Sequence, residues 1–182
     1  MEYKLPEFKE FPKIARLNRD CIITEKIDGT NGLIYIDEEN NLFVGSRTRW
    51  LDDHNDNFGF YHWVMANKEE LLKLGKGYHY GEFMGKGIQR NYGLNEKRFY
   101  LFNVKWNDKL IRPKCCYVVP ILYQGLFDST VANYQLKQLE ENGSYAIPGY
   151  MNPEGIVIYH KAGNVGFKVT IKNDEKPKSE LK

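Results

Sequence analysis

The sequence has little cysteine, no long apolar run and almost no excess of charge, and each shortage excludes something. Its 3 cysteines include the adjacent Cys115 and Cys116, so paired Cys-x-x-Cys metal ligands are absent. All three read as packing residues in a reducing compartment. No stretch approaches the length of an apolar helix that spans a bilayer, and Met1-Glu2-Tyr3-Lys4 opens no signal-peptide apolar region. The expectation is a cytoplasmic protein with no membrane partner. A net charge of +2 neither demands nor excludes nucleic acid. Repeats, low-complexity runs and interdomain linkers are missing too.

What remains is a globular composition. The 182 residues suffice for one domain with a substantial core and are too few for two ordinary ones. Hydrophobic residues make up 42% against 27% charged, with 13 Tyr, 10 Phe and 3 Trp, which favours a packed core over disorder. Strand-like runs fall near 21–25, 31–37, 42–47, 78–84, 99–105, 117–123, 155–160 and 165–171. One helix is expected from Phe60 to Leu74, stopping at Gly75 and Gly77. A second starts at Ser129 as N-cap and ends before Gly143, with Val131, Tyr134 and Leu139 on its apolar face. Many strands with few, separated helices predict an α+β domain of mostly antiparallel sheets. Residues 173–182 are charged, contain Pro177 and read as a tail.

Charge is distributed unevenly. Lys86, Arg90, Lys97 and Arg98 face only Glu96 in one segment, and Lys105, Lys109, Arg112 and Lys114 face only Asp108 in another. Interleaved with Tyr92, Tyr100 and Trp106, these segments suit either a track for a phosphate backbone with stacked bases or a solvated surface.

The most informative feature is Lys26-Ile27-Asp28-Gly29-Thr30-Asn31. The apolar run Cys21-Ile22-Ile23 precedes it and an alternating stretch follows, so Lys26 belongs at a strand end before a Gly-containing turn. A lysine there can attack an electrophilic phosphorus once its amine is neutral and the turn binds the phosphate. The same hexapeptide alone also describes a hairpin with an exposed lysine. Further elements follow in order. Val44-Gly45-Ser46-Arg47-Thr48-Arg49 ends a strand with arginines able to fork onto phosphate. Tyr80-Gly81-Glu82-Phe83-Met84-Gly85-Lys86-Gly87-Ile88-Gln89 puts a carboxylate on a strand before a loop with two glycines. Arg98-Phe99-Tyr100-Leu101-Phe102-Asn103-Val104 is an aromatic strand. Pro153-Glu154-Gly155-Ile156 opens a strand with a carboxylate, and Gly166-Phe167-Lys168-Val169-Thr170-Ile171-Lys172 carries Lys168 and Lys172.

In this order and at these separations the six elements resemble motifs I, Ia, III, IIIa, IV and V of the covalent nucleotidyltransferases. The stretches from Glu25 to Asn31 and from Gly81 to Asn91 are similar to the RNA ligase 2-like branch in particular, and the resemblance runs from Thr24 to Lys172. It implies an ATP-grasp-like nucleotidyltransferase fold over residues 1–172; relatives normally carry an OB-fold or helical domain after it, and the expectation here is a departure from them, with no OB-fold or other C-terminal domain. It further implies an ATP-dependent RNA ligase that joins 3′-hydroxyl and 5′-phosphate ends of RNA through lysyl-AMP and an adenylylated 5′ end, using Mg²⁺ or Mn²⁺. A DNA nick-sealing ligase or a non-catalytic end-binding relative are the alternatives. Either the basic segments 86–98 and 105–114 would hold the nucleic acid within the domain itself, or a partner protein replacing the missing domain would supply the grip; the oligomeric state stays open.

Position by position, the resemblance makes Lys26 the nucleophile on the α-phosphate of ATP. Freeing a solvated lysine of its proton near neutrality costs on the order of 4 kcal/mol, and cationic neighbours offset part of that. Asp28 is expected near the phosphates or metal, and Asn31 at the step in which the 3′-hydroxyl attacks. Glu25 falls in the nucleotide site, Arg47 on the nucleotide or the incoming 5′-phosphate, Glu82 on the ribose hydroxyls, and Phe102 on adenine. Glu154 helps hold the metal, and Lys168 neutralises the α-phosphate. The family usually has two lysines separated by one residue in its last motif. Here either Thr170 or Lys172 takes the second place.

Overall fold

The computed structural model describes residues 5–172, 174 and 175. It is built on two sheets. The four-stranded sheet has the order β10 (Val165–Thr170), β9 (Gly155–His160), β1 (Asp20–Lys26), β8 (Ile121–Leu126). The six-stranded sheet runs β4 (Trp50–Leu51), β3 (Leu42–Gly45), β2 (Thr30–Ile36), β5 (Gly77–Gly85), β6 (Lys97–Leu101), β7 (Cys116–Val118). Among these strands only β6 and β7 pair in parallel. The expected α+β, mostly antiparallel architecture is what the chain adopts.

Alternation decides which face each sheet buries. On β1, Cys21 and Ile23 pack with Ile156 and Ile158 of β9 against Ala132 and Leu139 of α3 (Ser129–Asn142). Thr24 and Lys26 therefore point to the opposite face. On β2, Ile34 and Ile36 join Phe60 and Val64 of α1 (Phe60–Ala66) in the larger core, with Phe83 and Phe99. Asn31, Leu33 and Tyr35 face the other way.

Four details differ from the sequence expectations. The helix expected over 60–74 is interrupted at Asn67, whose side chain donates to the Trp63 carbonyl at 2.8 Å. It continues as α2 (Lys68–Leu71) and a 3₁₀ turn, Leu72–Leu74. The strand expected over 99–105 ends at Leu101, because the Asn103 side chain accepts from the Lys105 amide at 3.1 Å and opens a 3₁₀ turn over Val104–Asn107. The run 117–123 is two strands in different sheets. Pro120, without an amide to donate, marks the crossing. There Val119 still donates to Leu101 of one sheet, while the Pro120 carbonyl accepts from Glu25 of the other. Finally, Asp128 rather than Ser129 caps α3, accepting from the Thr130 amide at 2.6 Å, and Tyr134 is exposed.

The three cysteines are free, with Cys21 and Cys116 buried as expected. No helix among the described residues is long and apolar enough to cross a membrane. The tail expected from residue 173 lies, apart from Asp174 and Glu175, outside the described residues.

Candidate active site

Lys26 is the last residue of β1, and the register Lys26↔Gly155 sets it beside the first residue of β9. Glu154 immediately precedes that strand, and its Oε2 lies 2.5 Å from Lys26 Nζ. Glu154 is buried while the lysine side chain keeps partial access to solvent. The pair thus presents an amine at the open side of a carboxylate enclosed by protein.

The turn after Lys26 is pulled tightly onto β5. A Cβ at Gly29 would come within 2.3 Å of the Phe83 carbonyl oxygen, so only glycine allows this approach. The Gly29 amide donates to Glu82 Oε1 at 3.0 Å, and Asn31 Nδ2 donates to Glu82 Oε2 at 3.0 Å. Burial pushes the Glu82 carboxyl up to about 7; nearby Glu154 and Asp28 add to the rise, while Lys26 and the Gly29 amide oppose it. Glu82, Asn31 and the Lys26 turn form one hydrogen-bonded unit.

The loop after β5 braces that turn from the other side. Gln89, Asn91 and Tyr92 all have positive φ, of 45°, 60° and 54°. For a tyrosine this is a rare backbone state that surrounding contacts must hold. They do: Tyr92 is 2% exposed and packs on Tyr150, and its hydroxyl accepts from the Asp28 amide at 2.8 Å. Arg90 Nε sits 3.0 Å from Asp28 Oδ2, and Arg90 Nη1 donates to the Asn152 carbonyl at 3.3 Å. One arginine thereby links the Lys26 turn to the segment leading into Glu154.

Glu25 points to the α3 side of the sheet, away from Lys26. Both its oxygens are taken by the chain: Ser144 Oγ donates at 2.6 Å, and the amides of Tyr145 and Ala146 each donate at 2.8 Å. Burial raises its pKa, and these three donors counter the rise. Tyr100 Oη donates to the Ala146 carbonyl at 3.3 Å, so the 144–147 loop joins β1 of one sheet to β6 of the other.

The remaining sequence-predicted residues lie around this cluster. Thr170, Gly155 and Lys26 are in one row across β10, β9 and β1, and Lys168, Val157 and Thr24 are in the next. Lys168 and Thr170 therefore share the Lys26 face. Lys172 lies past the end of β10, and its carbonyl accepts from Thr170 Oγ1 at 3.0 Å. The strand register puts Thr170, not Lys172, beside Lys168 on that face. Phe102 continues the β5–β6 pairing, its amide donating to the Tyr80 carbonyl at 3.0 Å, on the same face as Glu82 and with 41% of its surface exposed. Arg47 is exposed on the turn between β3 and β4.

The sequence pattern misses two things here. Tyr92, Tyr100 and Trp106, read as candidates for stacking on bases, are 2%, 2% and 5% exposed and belong to the core. Arg90 and Tyr92 instead hold the Lys26 turn, and Ser144 holds Glu25; these pairings span 62 residues or more in every case and carry no local signal. As to metals, no group of three His, Cys, Asp or Glu among the described residues is gathered closely enough to cage one. The enclosed Glu154 carboxylate beside Lys26, with Glu82 and Asp28 nearby, suits an ion that keeps most of its water and takes oxygens from substrate phosphates, as Mg²⁺ does.

A sequence profile of the RNA ligase family matches residues 19–173. The chain belongs to the RNA ligase family. No protein of curated function matches the sequence significantly. Among solved structures, an apo variant of the Naegleria gruberi RNA ligase superimposes with a TM-score of 0.64 at 22% identity, covering 85% of this chain and 50% of that one. A variant of the same ligase with ATP and Mn gives 0.63 at 22% identity over 86% and 51%, and one with AMP and Mn gives 0.62 at 22% over 85% and 50%. These likenesses establish the RNA ligase fold. The chain spans about half the length of the solved ligases that it resembles.

Proposed function

We propose that this RNA ligase family chain transfers AMP from ATP to Lys26 and on to a 5′-phosphate end, then seals that end to a 3′-hydroxyl. The observation that carries the reading is Lys26 Nζ held 2.5 Å from the buried Glu154, at the mouth of a turn tied to Glu82. The Naegleria relatives bound to ATP or AMP with Mn support the choice of nucleotide.

In the first step the Lys26 lone pair attacks the α-phosphorus, a P–N bond forms, and the bond to the departing pyrophosphate breaks. Before an ion binds, Lys26 Nζ sits on Glu154 Oε2, so Glu154 gives up that contact on taking an ion and the amine's proton leaves to solvent. Lys168, on the same sheet face, balances the α-phosphate charge. Thr170 takes the second position of that motif as a hydroxyl donor. Glu82 would accept from the ribose hydroxyls, exchanging its Asn31 contact for a ligand one, and Phe102 would stack on adenine. Arg47 meets the β,γ-phosphates or the incoming 5′-phosphate. Asp28 acts through Arg90, and Glu25 shapes the site through the 144–147 loop rather than by touching the nucleotide. Glu154 would hold a divalent ion, Mg²⁺ or Mn²⁺, which supplies positive charge against the leaving pyrophosphate.

In the second step a 5′-phosphate oxygen of the RNA displaces Lys26 from AMP. In the third the 3′-hydroxyl displaces AMP, with Asn31 released to hold the reacting ends. Incubation with α-labelled ATP and Mg²⁺ or Mn²⁺, followed by denaturing electrophoresis, should label the wild type and leave Lys26→Ala unlabelled. Label that persists on Lys26→Ala sinks the covalent mechanism. Ligation of matched RNA and DNA strands on a common splint then fixes the substrate.

A further inference from the structure

The strand register places an aromatic surface on the same face of the six-stranded sheet as Asn31 and Glu82. Asn31 pairs with Glu82, Leu33 with Tyr80 and Tyr35 with Tyr78 across β2 and β5. Phe43 on β3 pairs with Tyr35, and Trp50 on β4 pairs with Gly45. From Asn31 to Tyr35 the strand advances about 13 Å. The rings are layered: Tyr35 and Tyr78 stack at 4.4 Å between centroids, and Tyr78 and Tyr80 lie 6.3 Å apart within 11° of parallel. Phe43 and Trp50 extend the layer at 6.2 Å. These are not core residues. Phe43, Trp50, Tyr78 and Tyr80 are 45%, 53%, 57% and 54% exposed.

Ordinary folding buries aromatics or scatters them singly, so a contiguous exposed layer on an open sheet face marks a binding surface. Its rim says what kind. Arg47 and Arg49 stand on the turn just before Trp50, Arg49 also donating to the Asn55 and Asp56 carbonyls, while Lys76, just before Tyr78, is ion-paired with Glu38. On β2, β3 and β5 no carboxylate shares this face apart from Glu82, at the active-site end. Flat rings that a base can cover, with the Arg47 and Arg49 edge to meet phosphates, are what single-stranded nucleic acid requires.

We propose that Tyr35, Phe43, Trp50, Tyr78 and Tyr80 form a platform on which bases of single-stranded RNA stack as the strand leads to the Lys26 site. The strand's direction toward Lys26 rests on the ligase reading above; the stacking itself does not. Specificity for base sequence is not expected, since every base offers a π face.

The test measures binding without ATP, using a short 5′-phosphorylated single-stranded RNA and the same strand with abasic sites. In wild type the RNA should quench emission from exposed Trp50 saturably, and the abasic strand should bind more weakly. Tyr78→Ser should weaken binding about tenfold and Tyr78→Phe should restore it, because the ring and not the hydroxyl carries the contact. Unchanged quenching, equal affinity for the abasic strand, or unchanged binding by Tyr78→Ser would each overturn the platform. So would a wild-type dimer that Tyr78→Ser dissociates without loss of RNA affinity, which makes the face a protein interface. If Tyr78→Ser does not fold, the wild-type quenching and abasic comparison decide alone. RNA stacking on a protein whose Lys26 takes no label leaves the platform standing and removes the ligase reading.

Discussion

The hydroxyl of Tyr92 accepts a hydrogen bond from the backbone amide of Asp28 at 2.8 Å, joining a loop in left-handed backbone to the turn two residues past Lys26. Tyr92→Phe keeps the ring and removes the acceptor. The Asp28 amide then loses its partner in a buried place, at a cost of about 1–3 kcal/mol. A lowered urea midpoint and slower labelling of Lys26 are expected; an unchanged midpoint would show that the hydroxyl does not support the turn.

Removing the charge at Lys26 should affect stability as well as chemistry. Lys26→Met takes away the cation 2.5 Å from buried Glu154, and we expect a loss of about 1–3 kcal/mol, since an enclosed carboxylate is left with less compensation. The double variant Lys26→Met with Glu154→Gln should recover much of that loss in urea denaturation while remaining inactive. Failure of the second substitution to restore stability would remove the ion pair as the cause.

Glu82 gives a pH signature. Its folded-state pKa, raised from 4.5 to about 7, lies above its unfolded value. The stability it contributes is therefore full below about pH 4.5 and lost as pH rises through about 7. The total is on the order of 3 kcal/mol. Glu82→Gln should flatten the decline of stability between mildly acidic and mildly alkaline pH. An identical pH profile for variant and wild type would assign the titration elsewhere.

Glu25 is expected to matter without touching substrate. Glu25→Ala strips the acceptor from the Tyr145 and Ala146 amides and from Ser144 Oγ. A destabilisation of about 2–5 kcal/mol follows from leaving such donors unmet. Ser144→Ala, which removes one donor of three, should cost less. Amide hydrogen exchange across 144–147 reads the loop directly, and protection unchanged in Glu25→Ala would contradict the bracing role.

Asn31→Ala separates two stages of the proposed reaction. Glu82 keeps its Gly29 contact, so labelling of Lys26 should persist within a few-fold, while sealing of pre-adenylylated RNA falls by at least tenfold. Equal losses at both stages would place Asn31 in nucleotide binding instead.

Much of the placement of the candidate residues was legible in the chain. Lys26, Glu82, Glu154 and Lys168 were expected at strand ends or on strands, and the structure puts Lys26 at the end of β1, Glu82 on β5, Glu154 just before β9 and Lys168 on β10. The strands themselves emerged from runs of β-branched and aromatic residues. Short polar residues were harder to read. Asn67, Asn103 and Asp128 each use a side chain to rewrite a local boundary, and that choice depends on geometry rather than composition. The aromatic residues misled most: Tyr92, Tyr100 and Trp106 sit among basic residues in sequence yet are buried, while Phe43, Trp50 and Tyr78 gather into the exposed layer.

By itself, the sequence determined the elements and their order: a lysine before a glycine turn, carboxylates at two later strands, a lysine-bearing last strand, and an α+β class. Those follow from local preference and period, which act over a few residues. Tertiary structure alone decided the pairings. Lys26 meets Glu154 across 128 residues, Glu82 binds Gly29 across 53, and Thr170 rather than Lys172 shares the Lys168 face because β10 ends before Lys172. Contacts at such separations are fixed by strand register and by which face each sheet buries. No window along the chain contains both partners.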